Sequence, residues 1–229
     1  MVTTAKTCSL DRRPWPARAV GTITRPLSSY LSRQAAHPRG LGGRALGRLW
    51  VSETARVNDA AVTLLAPAAG EQVLEIGFGP GRTLGLLANH GALVTGVEVS
   101  SVMISLATHR NASRVEADTI SLYEGDGTTL PLPDDIFDAV VSVHNVYFWP
   151  DPQRTIGEID RVLCPGGRVV LVFRGGEHLL PRRLDPAVYR TVTTTHAVTW
   201  LEQAGFTDVA SHQPPGLSET LTFLTGTST

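Results

Sequence analysis

The chain has 229 residues, of which 42% are hydrophobic and 18% charged, and its formal net charge is −1. This composition suits a globular protein with one large domain, and the absence of an uninterrupted run of about 18 apolar residues predicts no membrane span. The two cysteines, Cys8 and Cys164, lie far apart and predict no disulfide framework, and neither they nor the scattered histidines predict a metal site.

Residues 1–51 are predicted to form a basic arm with short cap helices. The first 50 residues carry nine Lys or Arg side chains and one acid, so the rest of the chain is acidic. Lys6 is the only lysine, and Ala, Gly and Pro are frequent, which is typical of a GC-rich bacterial genome. We therefore expect a bacterial, cytoplasmic protein with an irregular segment over 1–26.

Strand and helix patterns alternate over 52–229, where Ser52 is the expected N-cap of the first helix. Strands are predicted over 72–76, 92–98, 119–123, 138–144, 168–173, 206–211 and 219–225. Helices are predicted over 80–89, from Ser100 to 109, from 151 or 152 to 163, and over 195–204, with a turn at 165–167. This alternation predicts an α/β fold with a mainly parallel sheet and helices on both faces.

The first predicted strand ends in the sequence VLEIGFGPGR at 73–82, which places Glu75 just before three alternating glycines. Glycines between a strand and a helix let the backbone turn tightly and approach a ligand. A dinucleotide fingerprint requires its third glycine at position 82, which is Arg82 here. The spacing therefore argues against a nicotinamide dinucleotide site, and an acid beside the loop suits a cationic ligand.

Acidic residues also follow the second and third predicted strands. Glu98 lies 23 residues after Glu75, where a carboxylate accepts hydrogen bonds from ribose hydroxyls, in nicotinamide cofactors as in other adenosine ligands. Asp126 and Gly127 form an Asp-Gly pair after the third strand, where an adenine amino group would find an acceptor, although such pairs are also common in plain turns. The series predicts an adenosine-type ligand.

The sequence RVLCPGG at 161–167 completes this series before the fifth strand. Together these motifs resemble the class I S-adenosylmethionine-dependent methyltransferases of the ubiquinone/menaquinone-biosynthesis type (methyltransferase type 11), over roughly 52–225. The resemblance implies a Rossmann-like, doubly wound, seven-stranded sheet with an antiparallel last strand, and S-adenosylmethionine as cofactor with S-adenosylhomocysteine as product. It implies these cofactor-binding residues: Glu75, Gly77, Phe78, Gly79, Gly81, Glu98, Val99, Met103, Asp126, Gly127 and His144.

His144 follows the fourth predicted strand and is the candidate catalytic residue, either as a general base or as a group that packs on the cofactor. Tyr147, Trp149, Arg174 and Tyr189 are the candidate acceptor-binding residues, because the aromatic cluster follows His144 and the 174–194 insertion often shapes the acceptor pocket in this family. The aromatic residues are equally consistent with simple packing of the loop.

The predicted function is methyl transfer to the oxygen, nitrogen or carbon of a small-molecule acceptor by a monomer or homodimer. A nucleic-acid methyltransferase that uses the basic arm is an alternative, although His144-Asn145-Val146-Tyr147 replaces the Asn-Pro-Pro-Tyr motif and Cys164 lies away from the expected active face. A third possibility is a cofactor-binding protein or cyclase of the same fold that does not methylate.

Overall fold

A computed structural model describes residues 25–175, 185 and 187–229. Of the irregular segment predicted over 1–26, residues 1–24 lie outside the described residues, and Arg25 and Pro26 begin a helix. The described helices are α1 (Arg25–Ala36), α2 (Gly40–Glu53), α3 (Ala55–Leu65), α4 (Arg82–Asn89), α5 (Ser101–Arg110), α6 (Ala112–Glu116), α7 (Pro152–Val162) and α8 (Thr194–Gln203), with a 3-10 turn at Val146–Phe148. The strands are β1 (Gln72–Ile76), β2 (Leu93–Glu98), β3 (Ile120–Glu124), β4 (Phe137–Val143), β5 (Leu163–Arg174), β6 (Thr207–His212) and β7 (Leu221–Thr227).

The seven strands form one sheet in the order β3-β2-β1-β4-β5-β7-β6. The pairs among β3, β2, β1, β4 and β5 are parallel, whereas β7 is antiparallel to both of its neighbours, β5 and β6. The strand order reverses at β1, between the β1–β2 and β1–β4 pairs, which is where parallel α/β sheets open a crevice for ligands. The predicted doubly wound sheet with an antiparallel last strand is confirmed.

The hydrophobic core lies on both faces of the sheet because successive side chains of a strand point to opposite faces. On one face, Leu74 and Ile76 of β1 pack in a cluster with Ile156 and other residues of α7 and α8. On the other face, Val73 packs in a second cluster with Leu65 and other residues of α3 and α4. Burial on both sides explains why the central strands are continuous apolar runs in the sequence.

The N-terminal helices α1 and α2 pack on the sheet domain, and we call these two helices and the residues between them the roof. Ser100, the N-cap of α5, donates a hydrogen bond from Oγ to the carbonyl of Pro38 at 2.5 Å. Gly47 of α2 lies against Met103 of α5 so closely that an added Cβ would lie 2.8 Å from Met103 Cε. No described helix combines the length and apolarity that a bilayer span requires.

The prediction that Ser52 caps the next helix is wrong. The helix α2 continues to Glu53, and α3 begins after Thr54. The four glycines of α2 weakened the helical pattern in the sequence. One of them, Gly47, lets α2 pack closely against α5, because it has no side chain at the contact. The predicted boundary between residues 51 and 52 therefore falls inside α2.

The prediction of a turn at 165–167 is also wrong, because these residues belong to β5. The Gly166 N–H donates to the carbonyl of Ser228 at 3.0 Å, and the Ser228 N–H donates to the carbonyl of Gly167 at 2.8 Å. Gly166 adopts φ +81°, which a glycine accepts without a steric cost. Pairing with the C-terminal segment, which the local sequence does not show, keeps this segment in the strand, although its register with β4 shifts here.

Candidate functional site

A cavity of about 500 Å³ opens at the carboxyl ends of β1, β2 and β4. One part of its wall is the glycine loop with the two acids that end β1 and β2, and another is the aromatic segment that follows β4. The roof contributes Ala35, Ala36, Pro38 and Val51. Ten predicted site residues line the cavity: Glu75, Gly77, Phe78, Gly79, Glu98, Met103, His144, Tyr147, Arg174 and Tyr189.

The glycine loop turns through three left-handed residues before α4 begins. Gly77, Gly79 and Gly81 have φ values of +75°, +52° and +76°, which explains the alternate glycines, since a side chain at each position would be strained. Gly81 is the residue that precedes α4. The loop therefore brings its backbone close to the cavity, where Gly77 and Gly79 add no side-chain bulk to the wall.

Glu98 holds this loop in place from the end of β2. Its Oε2 accepts a hydrogen bond from the Gly79 N–H at 3.0 Å, and its Oε1 accepts one from the Ser100 N–H at 3.0 Å. Burial raises the pKa of the Glu98 carboxyl, while the hydrogen bonds from Gly79 and Ser100 oppose that rise because they stabilise the carboxylate. The acid that the sequence predicts to bind a ribose thus also sets the position of the loop.

Glu75 is a buried carboxyl with an unsatisfied oxygen. It is 2% exposed, Thr83 and the backbone of Leu84 hydrogen-bond to it, and its Oε2 has no hydrogen-bond partner. Burial raises the pKa of Glu75 to about 8. The hydrogen bond with Thr83 opposes this rise, and repulsion from the Glu98 carboxylate adds to it. A ligand with a positive charge would satisfy the orphaned oxygen and favour the ionised form. The end of the cavity at Glu75 therefore fits a cationic ligand.

The remaining predicted cofactor residues are not part of the cavity wall. They are Gly81, Val99, Asp126 and Gly127. Asp126 is exposed, and its Oδ1 accepts hydrogen bonds from the backbone N–H and the hydroxyl of Thr128, which together lower the pKa of the carboxyl. The Gly125 N–H donates to the Glu98 carbonyl at 3.1 Å, so the loop after β3 is tied to the end of β2.

His144 adopts a left-handed backbone conformation at the end of β4, with φ +55°. Its N–H donates to the Val172 carbonyl at 2.7 Å, and its Nδ1 lies 3.3 Å from the Tyr147 hydroxyl. That hydroxyl also accepts a hydrogen bond from the Arg174 N–H. Burial, assisted by the charge of Arg174, lowers the pKa of His144 to about 4, and burial raises the pKa of Tyr147 to about 12. Both groups are therefore neutral near pH 7.

Three aromatic rings stand next to His144 in the cavity wall. Tyr147 and Phe148 are in edge contact with centroids 5.8 Å apart, and Phe148 and Tyr189 are 4.7 Å apart at 65°. Trp149, which the sequence also suggested for acceptor binding, is 2% exposed in the hydrophobic core and does not line this cavity. The prediction that Trp149 contacts the acceptor in this cavity is therefore corrected, because the residue packs in the core cluster instead.

Sequence reasoning missed several residues of the cavity wall. Asn145 lies behind the glycine loop, where a Cβ added to Gly77 would overlap its amide group. Arg82 lines the cavity in a salt bridge with Asp59 of α3, at 2.8 Å. Arg190 also lines it, and its backbone N–H donates to the Tyr147 carbonyl at 3.1 Å. Adjacency in sequence was a usable signal for Asn145, next to His144, and for Arg82, next to Gly81, whereas Arg190 comes from a distant segment.

The parallel sheet that opens at its reversal point onto a glycine loop and two acids defines a Rossmann-like protein that binds an adenosine-type cofactor. Residues 74–171 match the family model described as "Methyltransferase domain". The chain is 30% identical to an uncharacterized methyltransferase, YdaC, of Bacillus subtilis, over 71% of this chain and 86% of that protein. The chain therefore belongs to the S-adenosylmethionine-dependent methyltransferase family, whose cofactor is S-adenosylmethionine.

Two further comparisons agree with this family. The demethylmenaquinone methyltransferase of Clavibacter sepedonicus is 28% identical, over 71% of this chain and 73% of that protein. The fold is also that of phosphoethanolamine N-methyltransferase 2 of Haemonchus contortus, solved in complex with S-adenosyl-L-methionine, with a TM-score of 0.66 and 18% identity over 76% of this chain and 52% of that one. The first comparison supports the family, and the second shows the fold.

Proposed function

We propose that this protein transfers a methyl group from S-adenosylmethionine to a small, planar, largely apolar acceptor. The observation that carries the proposal is the continuity of one cavity, which joins Glu75, Glu98 and the glycine loop at one end to Tyr147, Phe148 and Tyr189 at the other. His144 lies between these two groups in the chain and lines the same space. When bound, S-adenosylmethionine supplies a methyl group activated on a sulfonium.

The end of the cavity at the glycine loop is the proposed cofactor half. The unsatisfied oxygen of Glu75 supports binding of the positively charged methionine portion, and Glu98 supports binding of the ribose. Gly77 and Gly79 let a ligand approach the backbone without side-chain bulk. Met103 offers an apolar wall, and Val99, Asp126 and Gly127 extend the proposed site toward the adenine beside the cavity.

The aromatic end is the proposed acceptor half. Aromatic rings offer wide apolar faces on which a flat acceptor stacks. Tyr147 and Tyr189 both have a pKa raised to about 12 by burial, so their hydroxyls stay protonated and remain neutral hydrogen-bonding groups. The roof covers one side with Ala35, Ala36 and Pro38. A cover of this kind excludes water and aligns the reacting groups, which is most of what an in-line methyl transfer requires of an enzyme.

His144 is proposed to act as a neutral hydrogen-bonding group at the junction of the two halves. A general base works best with a pKa near the working pH, whereas the pKa of His144 is lowered to about 4. The contact between its Nδ1 and the Tyr147 hydroxyl fixes the ring, and Nε2 is left for the cavity. An acceptor that needs a strong base to lose its proton would therefore gain little from His144.

The test is a methylation assay with labelled S-adenosylmethionine and three separate acceptor pools: a small-molecule extract, total RNA and fragmented DNA. The expected result is label and S-adenosylhomocysteine release with the small-molecule pool. Label in RNA or DNA, with binding that weakens steeply with salt, would instead support the nucleic-acid alternative. Binding of S-adenosylmethionine without methylated product in any pool would support the non-methylating alternative. Titration with NAD provides the negative control for cofactor class.

A further inference from the structure

The charged side chains of the cavity are divided between its two ends. The carboxyls of Glu75 and Glu98 lie at the proposed cofactor half. Among the described residues that line the acceptor half, the charged side chains are Arg174 and Arg190, and no carboxylate joins them. The described acid nearest in sequence is Asp185, whose carboxylate accepts hydrogen bonds from Ser29 Oγ and the Ala187 N–H and does not line the cavity.

The two arginines differ from the other cavity arginine in their partners. Arg82 is paired with Asp59 at 2.8 Å. Arg174 donates from Nη1 to the Thr220 hydroxyl at 2.9 Å, and Arg190 donates from Nη2 to the Pro150 carbonyl at 3.1 Å. Both partners are neutral oxygens, and within the described ranges neither arginine forms a salt bridge. A guanidinium carries five N–H donors and both residues are exposed, so each keeps accessible donors for a ligand.

The charge of Arg174 affects the pKa values of two residues that line the cavity. It contributes to the lowered pKa of His144, after burial, and it opposes the effect of burial on the Tyr147 pKa. A positive potential at His144 and the Tyr147 hydroxyl disfavours a cationic acceptor there and favours an anionic one. Arg190 lines the same cavity as the aromatic rings, and its backbone N–H donates to the Tyr147 carbonyl. The positive charge and the aromatic rings therefore belong to one surface.

From this juxtaposition we propose that the acceptor is an aromatic acid, whose ring packs on Phe148 and Tyr189 and whose carboxylate is bound by Arg190 and Arg174. Guanidinium groups bind carboxylates through paired, charge-assisted hydrogen bonds, which favour an anion over a neutral group of the same shape. The inference rests on the proposed function, because it names the class of acceptor for that same cavity. An anionic acceptor bound at the acceptor half requires no charged residue at the cofactor half beyond those already described.

The binding test uses the full-length protein saturated with S-adenosylhomocysteine and three pairs of probes. The pairs are benzoate with benzamide, 4-hydroxybenzoate with 4-hydroxybenzamide, and 2-naphthoate with 2-naphthamide. Titration calorimetry should show at least one acid binding about tenfold or more tightly than its amide, the ratio expected for a charge-assisted contact. Arg190→Gln and Arg174→Gln should each reduce this preference, and together abolish it, with the affinity for S-adenosylhomocysteine within about twofold of wild type.

Arg114→Gln is the matched control, because Arg114 is a partly exposed arginine of α6 that donates to Asn89 and does not line the cavity. It should leave the preference unchanged. Equal affinity for acid and amide in every pair, or no binding by any acid, would overturn the aromatic-acid inference while leaving the methyltransferase proposal intact. Failure of S-adenosylhomocysteine itself to bind would instead count against the proposed function.

Discussion

The backbone N–H of Gly79 donates a hydrogen bond to Oε2 of Glu98 at 3.0 Å and so joins the loop after β1 to the end of β2. The second carboxylate oxygen accepts from the Ser100 N–H, where α5 begins. One side chain therefore fixes the relative positions of the glycine loop and the N-terminus of α5. A ribose bound at Glu98 would meet a carboxylate whose orientation is already set, which lowers the entropic cost of binding.

Glu98→Ala should weaken S-adenosylmethionine binding by about 10- to 100-fold, because it removes a ligand contact and the acceptor of two backbone N–H groups. Glu98→Gln should be intermediate, since its single carbonyl oxygen replaces one of the two acceptors. Titration calorimetry measures the affinities. Glu116→Ala, an exposed acid at the end of α6, is the control. An unchanged affinity in Glu98→Ala would exclude Glu98 from the cofactor site.

Binding of S-adenosylmethionine should release about one proton per site at pH 7, because a cationic ligand favours the ionised form of Glu75, whose pKa in the free protein is about 8. Below pH 8 the affinity should therefore fall as the pH is lowered. Calorimetry in buffers with different ionisation enthalpies counts the proton. Glu75→Gln should bind more weakly and release none, and proton release that persists in this variant would assign it to another group.

The same carboxyl affects the stability of the free protein. Because its pKa in the folded state lies above the ordinary 4.5, its contribution to stability is complete below pH 4.5 and is lost as the pH rises toward 8. Glu75→Gln should remove this dependence from urea unfolding measured across that range. Saturating cofactor should also reduce this pH dependence of the unfolding free energy in the wild type, since the bound cation stabilises the carboxylate.

Gly81→Ala should destabilise the fold more than Gly79→Ala. An added Cβ at Gly81 would lie 2.6 Å from Ala107 Cβ and 2.9 Å from its Cα, whereas nothing lies within 4 Å of a Cβ at Gly79. Both positions have positive φ, so each substitution costs about 1–2 kcal/mol of backbone strain, and Gly81→Ala adds about 1–3 kcal/mol of overpacking. Urea unfolding should rank the two variants, and equal stabilities would contradict the packing argument.

Gly70→Ala is the control that separates strain from binding. Gly70 also has a positive φ and open space around its Cβ position, but it does not line the cavity. Gly70→Ala and Gly79→Ala should therefore lose similar amounts of stability, while only Gly79→Ala, whose new methyl group lies at the cavity wall, should weaken S-adenosylmethionine binding. Equal cofactor affinities in the two variants would show that the cofactor does not approach Gly79.

His144→Asn should lower kcat by about tenfold, less than the 10²- to 10⁴-fold expected for loss of a general base. Asparagine tolerates the left-handed backbone of His144, so the loop keeps its shape. With S-adenosylmethionine saturating at every pH, so that Glu75 does not affect the profile, the wild-type rate with the labelled small-molecule pool should show no limb between pH 6 and 7, because the His144 pKa is about 4. His196→Asn, on exposed α8 surface, is the control, and a limb near 6.5 that His144→Asn removes would restore the general-base role.

His144 also contributes to the acid sensitivity of the fold. Its pKa is lowered from 6.5 to about 4, so its contribution to stability is present above pH 6.5 and is lost as the pH falls toward 4. In His144→Asn the decline in the free energy of unfolding over that interval should be shallower than in the wild type. The pH dependence of stability that His144 contributes is opposite in sign to that of Glu75, so each variant is compared with the wild type at every pH.

Local sequence patterns were sufficient for most elements of the fold. Ser100 was predicted to cap α5, and its Oγ accepts the Met103 N–H at 3.3 Å. The segment at 165–167 was predicted as a turn, as Pro-Gly-Gly suggests locally, yet Gly166 and Gly167 pair with Ser228 across the sheet. The difference is physical, because a cap depends on residues within one helical turn, whereas strand pairing depends on a distant segment.

The sequence by itself determined the alternation of strands and helices, the glycine loop and the order in which Glu75 and Glu98 follow their strands, because periodicity, turn chemistry and strand ends are local properties. Only the tertiary structure decided which side chains share the cavity. It turned Trp149 into the core, brought Arg190 beside Tyr147 and placed the roof over the site through the contacts of Pro38 with Ser100 and of Asp185 with Ser32. These contacts join residues up to 153 positions apart, and their pairing depends on how the whole chain packs.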